Sequence, residues 1–123
     1  PQSIYKFGTY TVRANDEAEA NKLIEDAKLL EETGCFAIVL EKIPAHLARK
    51  IAEAIKIPVI GIGAGAGVDG QVLVTHDLLG MTHEFSPRFL RRYLSLYQDI
   101  TKAIKSYVKD VKSVDFPSDK EQY

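Results

Sequence analysis

Two nearly unbroken apolar runs set the frame of this chain: "FAIVL" at residues 36–40 and "IPVIGIG" at residues 57–63. Neither alternates with polar residues, so both predict strands of a parallel sheet buried on both faces, the first spanning Cys35 to Leu40. Around them the apolar spacing changes to three and four. Ala20, Leu23, Ile24, Ala27 and Leu30 form one face of a helix. Asp16 and Glu19 open that helix at capping-box spacing, and Gly34 closes it in a left-handed cap. Leu47, Ala48, Ile51, Ala52 and Ile55 form the face of a second helix, with Pro44 in its first turn, where a missing N–H costs nothing. A glycine-rich stretch from Gly63 to Gly70 then leads into "QVLVT", read as a third strand. Ser86 and Pro87 read as the cap and first residue of a long helix. Its face carries Phe89, Leu90, Tyr93, Leu94, Tyr97, Ile100, Ile104, Tyr107, Val108 and Val111. Residues 1–15 show no sustained period and read as loop, with room for a short strand, and the polar tail 113–123 reads as mobile.

Strands alternating with helices define an α/β chain. Three strands make a small parallel sheet with two open edges, a liability in isolation. The tyrosine-bearing helix also has more apolar face than three strands can cover. The pattern therefore predicts part of a larger α/β sheet or barrel. The opening "PQSIYKFGTY", which lacks a methionine, is consistent with a segment of a longer chain.

Composition narrows the classes of function. With 123 residues the chain is one domain's worth, and 46% hydrophobic with 27% charged residues is the balance of a globular protein. A net charge of -1 gives no case for binding nucleic acid. No stretch approaches the length of a membrane span. The single cysteine, Cys35, is expected to be a buried, inert thiol, which suits a reducing cytoplasm.

Candidate chemistry starts at Glu41, a charge at the end of a buried strand. In parallel α/β sheets and barrels, ligands bind at the C-terminal strand ends. A carboxylate beside buried apolar backbone is desolvated and so becomes a stronger base; a solvated loop glutamate, or one paired with Lys42, fits position alone equally well. Gly65, Gly67 and Gly70 match G-x-G-x-x-G, but a dinucleotide fingerprint must open a helix, and here a strand follows. A tight strand-to-strand connection needing close backbone approach is the better reading. His76 and Asp77 are adjacent and so read as structural, with Asp77 capping a turn through "DLLG". Together with His46 and His83 they offer no metal-ligand spacing.

At "LEKIP" followed by "IPVIGIGAGAGVDGQVLVTHDLLGM", with "PQSIYKFG" at the start, the chain closely resembles the C-terminal half of the ketopantoate hydroxymethyltransferase family. The resemblance implies a (βα)8 TIM barrel of the phosphoenolpyruvate mutase and isocitrate lyase superfamily, this chain supplying its last three strands. It implies transfer of a hydroxymethyl group from 5,10-methylenetetrahydrofolate to 3-methyl-2-oxobutanoate, giving 2-dehydropantoate. Mg²⁺ would chelate the keto acid and stabilise an enolate. Glu41 matches the family's base that removes the C3 proton. Lys42 stands where the family usually has a small or apolar residue. Ile62 and Val74 match the lining of the pocket for the branched side chain. Gly61, Gly63 and Gly65 would keep the barrel mouth uncrowded. No metal ligand is expected in this chain, because the family's metal-binding aspartates belong to the N-terminal half. The expected partners are therefore that half and further copies in a decamer.

Three rivals stand beside this reading. They are another superfamily enzyme acting on a metal-chelated 2-oxo acid, a non-catalytic half-barrel used for assembly, and a small flavodoxin-like phosphate-binding module suggested by the glycines.

Overall fold

The computed structural model describes residues 16–84 and 86–123, with Tyr5, Gly8 and Ala14. The loop expected over residues 1–15 otherwise lies outside the described residues. The chain divides into two compact units, Pro1–Val72 and Leu73–Tyr123.

The first unit runs α1 (Glu17–Glu32), β1 (Ile38–Glu41), α2 (Ala45–Ala54), β2 (Val59–Ile62) and β3 (Gly70–Gln71). The capping residues act as their spacing predicts. The Asp16 carboxylate accepts the Glu19 N–H at 2.9 Å, and the Glu19 carboxylate accepts the Ala14 N–H at 2.8 Å. At the other end Gly34 takes φ +93°. Gly34 donates to the Glu31 carbonyl and Cys35 to the Leu30 carbonyl, a complete Schellman closure. That closure explains why β1 starts at Ile38 and not at Cys35. Residues 34 and 35 spend their amides on the helix end, and the Ile38 N–H to the Pro58 carbonyl is the first bond to β2. The Cys35 thiol is free and half-buried, not fully buried as expected.

β1, β2 and β3 form one parallel sheet in that order. Its core lies on one face, where Ile38, Leu40 and Val59 meet Ala27, Leu47, Ala48 and Ile51 of the helices. β1 therefore alternates buried and exposed, contrary to the expectation of burial on both faces. Val39 is 62% exposed and Phe36 90%, because the helices α1 and α2 cover only the Ile38–Leu40 side.

The glycine stretch 63–69 carries the chain from the end of β2 back to the start of β3. Parallel strands normally need a crossover of a dozen or more residues, usually a helix. This one is shorter and has no helix, so it lies close against α2. Gly65 sits on Ala45, with no space left for a side chain, and Gly67 lies against the Arg49 side chain. Asp69 closes the crossover: its carboxylate accepts the Val59 N–H at 2.8 Å and its N–H donates to the Val59 carbonyl at 3.0 Å. Val59 is fully buried. Asp69→Ala is thus expected to cost about 1–3 kcal/mol by orphaning that N–H, with Asp69→Asn losing less because it keeps an acceptor. Urea unfolding midpoints of the two variants check this.

The second unit holds α3 (Thr75–Leu78) and α4 (Leu96–Lys112). The expected strand "QVLVT" is cut short. Val72 still donates to the Gly61 carbonyl, but by Val74 the chain is turning, and the Asp77 and Leu78 amides both return to the Val74 carbonyl. Asp77 lies within this turn instead of capping it.

The long helix starts at Leu96, not at Pro87. The reason is a competing set of backbone bonds. The amides of Tyr93, Leu96 and Tyr97 donate to the carbonyls of Leu78, Leu79 and Gly80, so they cannot close helical turns with residues 89–93. In the tail, Phe116 packs edge-on against Tyr107 at 5.5 Å. The Ser118 amide and hydroxyl both donate to Glu121, holding its carboxyl below the usual carboxylate range.

Candidate active site

The feature that could carry chemistry is the C-terminal edge of the β1–β2 pair. Strand residues alternate faces, and in this register Val39 stands beside Ile60 and Glu41 beside Ile62. Ile38 and Leu40 point to the helices, so Val39, Glu41, Ile60 and Ile62 share the opposite face. Adjacent strands lie about 4.8 Å apart, which makes Glu41 and Ile62 direct neighbours. The result is one carboxylate on an otherwise apolar strip.

The backbone under Glu41 is fixed. The Lys42 N–H donates to the Ile62 carbonyl at 2.9 Å, extending the ladder one residue past the strand. Lys42 then takes φ +53°, a left-handed turn that ends the strand. Ile43 is buried, Pro44 caps α2 with φ −57°, and α2 begins at Ala45. Glu41 itself is exposed in the first unit. Within that unit α1 and α2 pack against the opposite face, that of Ile38 and Leu40.

Of the three residues singled out from sequence, the structure brings Glu41 and Ile62 together. Val74 belongs to the second unit, just before α3, and is 53% exposed. Gly61 is in register with Leu40 and Gln71, and a side chain there would meet Val68 and Gln71; Gly65 abuts Ala45 on the helix side. G-x-G-x-x-G ends in strand β3 and opens no helix. His46 and His76 are exposed, and His83 stacks on Tyr97 at 4.7 Å. Among the described residues, no three His, Cys, Asp or Glu side chains gather closely enough to hold a metal ion. No helix among those residues is long and apolar enough to cross a membrane.

Two residues near the site were missed in the sequence. Asp69 clamps β2, as described above, and the Gln71 side chain donates to the Gly65 carbonyl at 2.8 Å, holding the glycine stretch. In "GVDGQ" they look like ordinary turn residues, and nothing local signals a bond to Val59, ten positions away.

What the edge can do follows from its parts. A carboxylate on rigid backbone can receive a proton, and its apolar neighbours favour a small substrate with an aliphatic side chain.

Comparison with known proteins identifies the sequence context of this edge. The family model described as ketopantoate hydroxymethyltransferase matches residues 1–119. Curated relatives named 3-methyl-2-oxobutanoate hydroxymethyltransferase align over the whole chain. Those of Flavobacterium johnsoniae, Christiangramia forsetii and Parabacteroides distasonis are 72%, 73% and 71% identical over 123 residues. The chain spans 45% of the length of each.

Proposed function

The chain belongs to the ketopantoate hydroxymethyltransferase family, and from that premise we propose that it serves the transfer of a hydroxymethyl group from 5,10-methylenetetrahydrofolate to 3-methyl-2-oxobutanoate. The product is 2-dehydropantoate, on the route to pantothenate, in the cytoplasm. The observation that carries the proposal is the pairing of Glu41 with Ile62 at the C-terminal edge of a parallel sheet. Glu41 takes the proton from C3 of the keto acid, while Ile62 and Val74 receive its branched side chain. The resulting enolate carbon attacks the methylene carbon carried by the folate. Water supplies the hydroxyl oxygen, both folate C–N bonds break, and tetrahydrofolate leaves with the proton taken from C3 and one from water.

In this reading the active unit is a (βα)8 barrel, completed by the N-terminal half that the relatives' greater length represents. That half would hold the Mg²⁺ the family reading requires. The face that carries the exposed Val39 and the half-buried Ile60 would then line the barrel's interior. The test is an assay of this chain with the N-terminal half supplied. Formation of 2-dehydropantoate from 3-methyl-2-oxobutanoate, and none of its analogue from oxaloacetate, supports the proposal. The reverse preference would transfer the chain to another chemistry of the same superfamily.

The proposal extends to assembly as a homo-oligomer, a decamer in the family reading. Its support is the exposed apolar face of α4, with Tyr97, Ile100, Ile104, Tyr107, Val108 and Val111 all open to solvent. Such a face on a helix is a common mark of association. Ile104→Glu, placing a charge in its middle, is expected to shift the assembled protein to smaller species in native mass spectrometry. An unchanged oligomer would remove α4 from the interface.

A further inference from the structure

We propose that the left-handed turn at Lys42 is a positioning device for Glu41, acting through the backbone. The inference rests on Glu41 being the base. Three observations carry it. Lys42 takes φ +53°, a conformation that lysine rarely adopts and that β-branched residues adopt least. Its N–H is bonded to the Ile62 carbonyl at 2.9 Å, on the same strand residue whose side chain neighbours Glu41. The chain then reaches Pro44 and α2 after the single buried residue Ile43.

Glu41 therefore sits on a sharp strand-to-helix elbow, held by the ladder before it and the buried Ile43 after it. An extended residue at position 42 would carry the strand onward, displacing Ile43 from the core and rotating the peptide that follows Glu41. The left-handed turn avoids both and ends β1 with the carboxylate at the sheet's edge. Backbone strain next to a reacting group is a recurrent means of fixing its direction.

A series at position 42, made in the protein assembled with its N-terminal half, tests this. Glycine and asparagine enter the left-handed region readily, alanine less so and isoleucine hardly at all. Exchange of the substrate's C3 proton into deuterated water should follow that order. Lys42→Gly and Lys42→Asn should stay within about threefold of the parent, and Lys42→Ile should fall by about 10–100-fold, the effect of a reacting group displaced by the order of 1 Å. Substrate KM should hold across the series, because the turn aims the base without binding the keto acid. If Lys42→Ile does not fold, the gap between asparagine and alanine still reads the backbone preference. Equal losses in all four variants would overturn the proposal by making the ammonium group the operative part. No loss in any of them would overturn it by making the turn irrelevant. Glu41→Gln is measured alongside. If it retains exchange, the base assignment itself fails; if it loses exchange while the Lys42 series stays flat, only the positioning role fails.

Discussion

Glu41→Gln, in the protein assembled with its N-terminal half, is expected to lower C3-proton exchange of 3-methyl-2-oxobutanoate by about 10²–10⁴-fold, the usual contribution of a positioned general base. Glutamine keeps the shape and the hydrogen-bonding reach but cannot take the proton. Substrate affinity should change little, since Ile62 and the rest of the apolar strip remain. Stability should stay within about 0.5 kcal/mol, as is usual for a substitution at an exposed position; Glu41 is exposed in the first unit. The exchange assay isolates proton removal from the later attack on the folate carbon, so folate can be left out. A variant that exchanges at the parent rate would assign the proton transfer elsewhere and leave Glu41 as a surface residue at a strand end. A loss of exchange accompanied by a large loss of stability would mean that Glu41 supports the fold, and would also count against its role as base.

The same strand shows how far the sequence could be read. Elements governed by local chemistry were legible. Asp16 caps α1, Gly34 closes it, and the faces of α1 and α2 are largely those that the spacing marked. The crossover character of the glycine stretch was also legible, because Gly70 leads into a strand and not a helix. What failed depended on distant partners. The amides of Tyr93, Leu96 and Tyr97 go to residues 78–80, so Ser86 and Pro87, though they spell a helix start, do not begin one. Val39 sits in an unbroken apolar run and yet lies open, since an apolar run records what a strand is built to meet. The described residues supply that cover on one side only. The place of Glu41 at the end of β1 was legible because a charge ending an apolar run breaks the pattern. Asp69 and Gln71 were not, because turn residues in a glycine-rich segment break nothing.

The crossover supplies the largest expected effect on stability, at Gly65→Ala. Gly65 has φ +78°, in the left-handed region, where a side chain costs about 1–2 kcal/mol. The new methyl group would also overlap the Cβ of Ala45, the first residue of α2, and press on its Cα. Backbone at a helix start cannot swing aside as a long side chain can, and forced overpacking of this kind costs about 1–3 kcal/mol. Together these should remove about 2–5 kcal/mol, a large part of an ordinary domain's 5–15 kcal/mol. Gly67→Ala is the matched control. It has no left-handed φ, and its methyl group would press mainly on the Arg49 side chain, which is exposed and can move. Its cost should stay below about 1 kcal/mol, helped by the smaller entropy of the unfolded chain. Urea unfolding of both variants decides the matter. A wide gap means that the glycines exist to let a helix-free crossover lie flat against α2, which in turn holds Ile62 beside Glu41. Equal and small effects would mean that the crossover can lift away from α2. The glycine run would then need another cause, and a ligand approaching its backbone would become the reading to test.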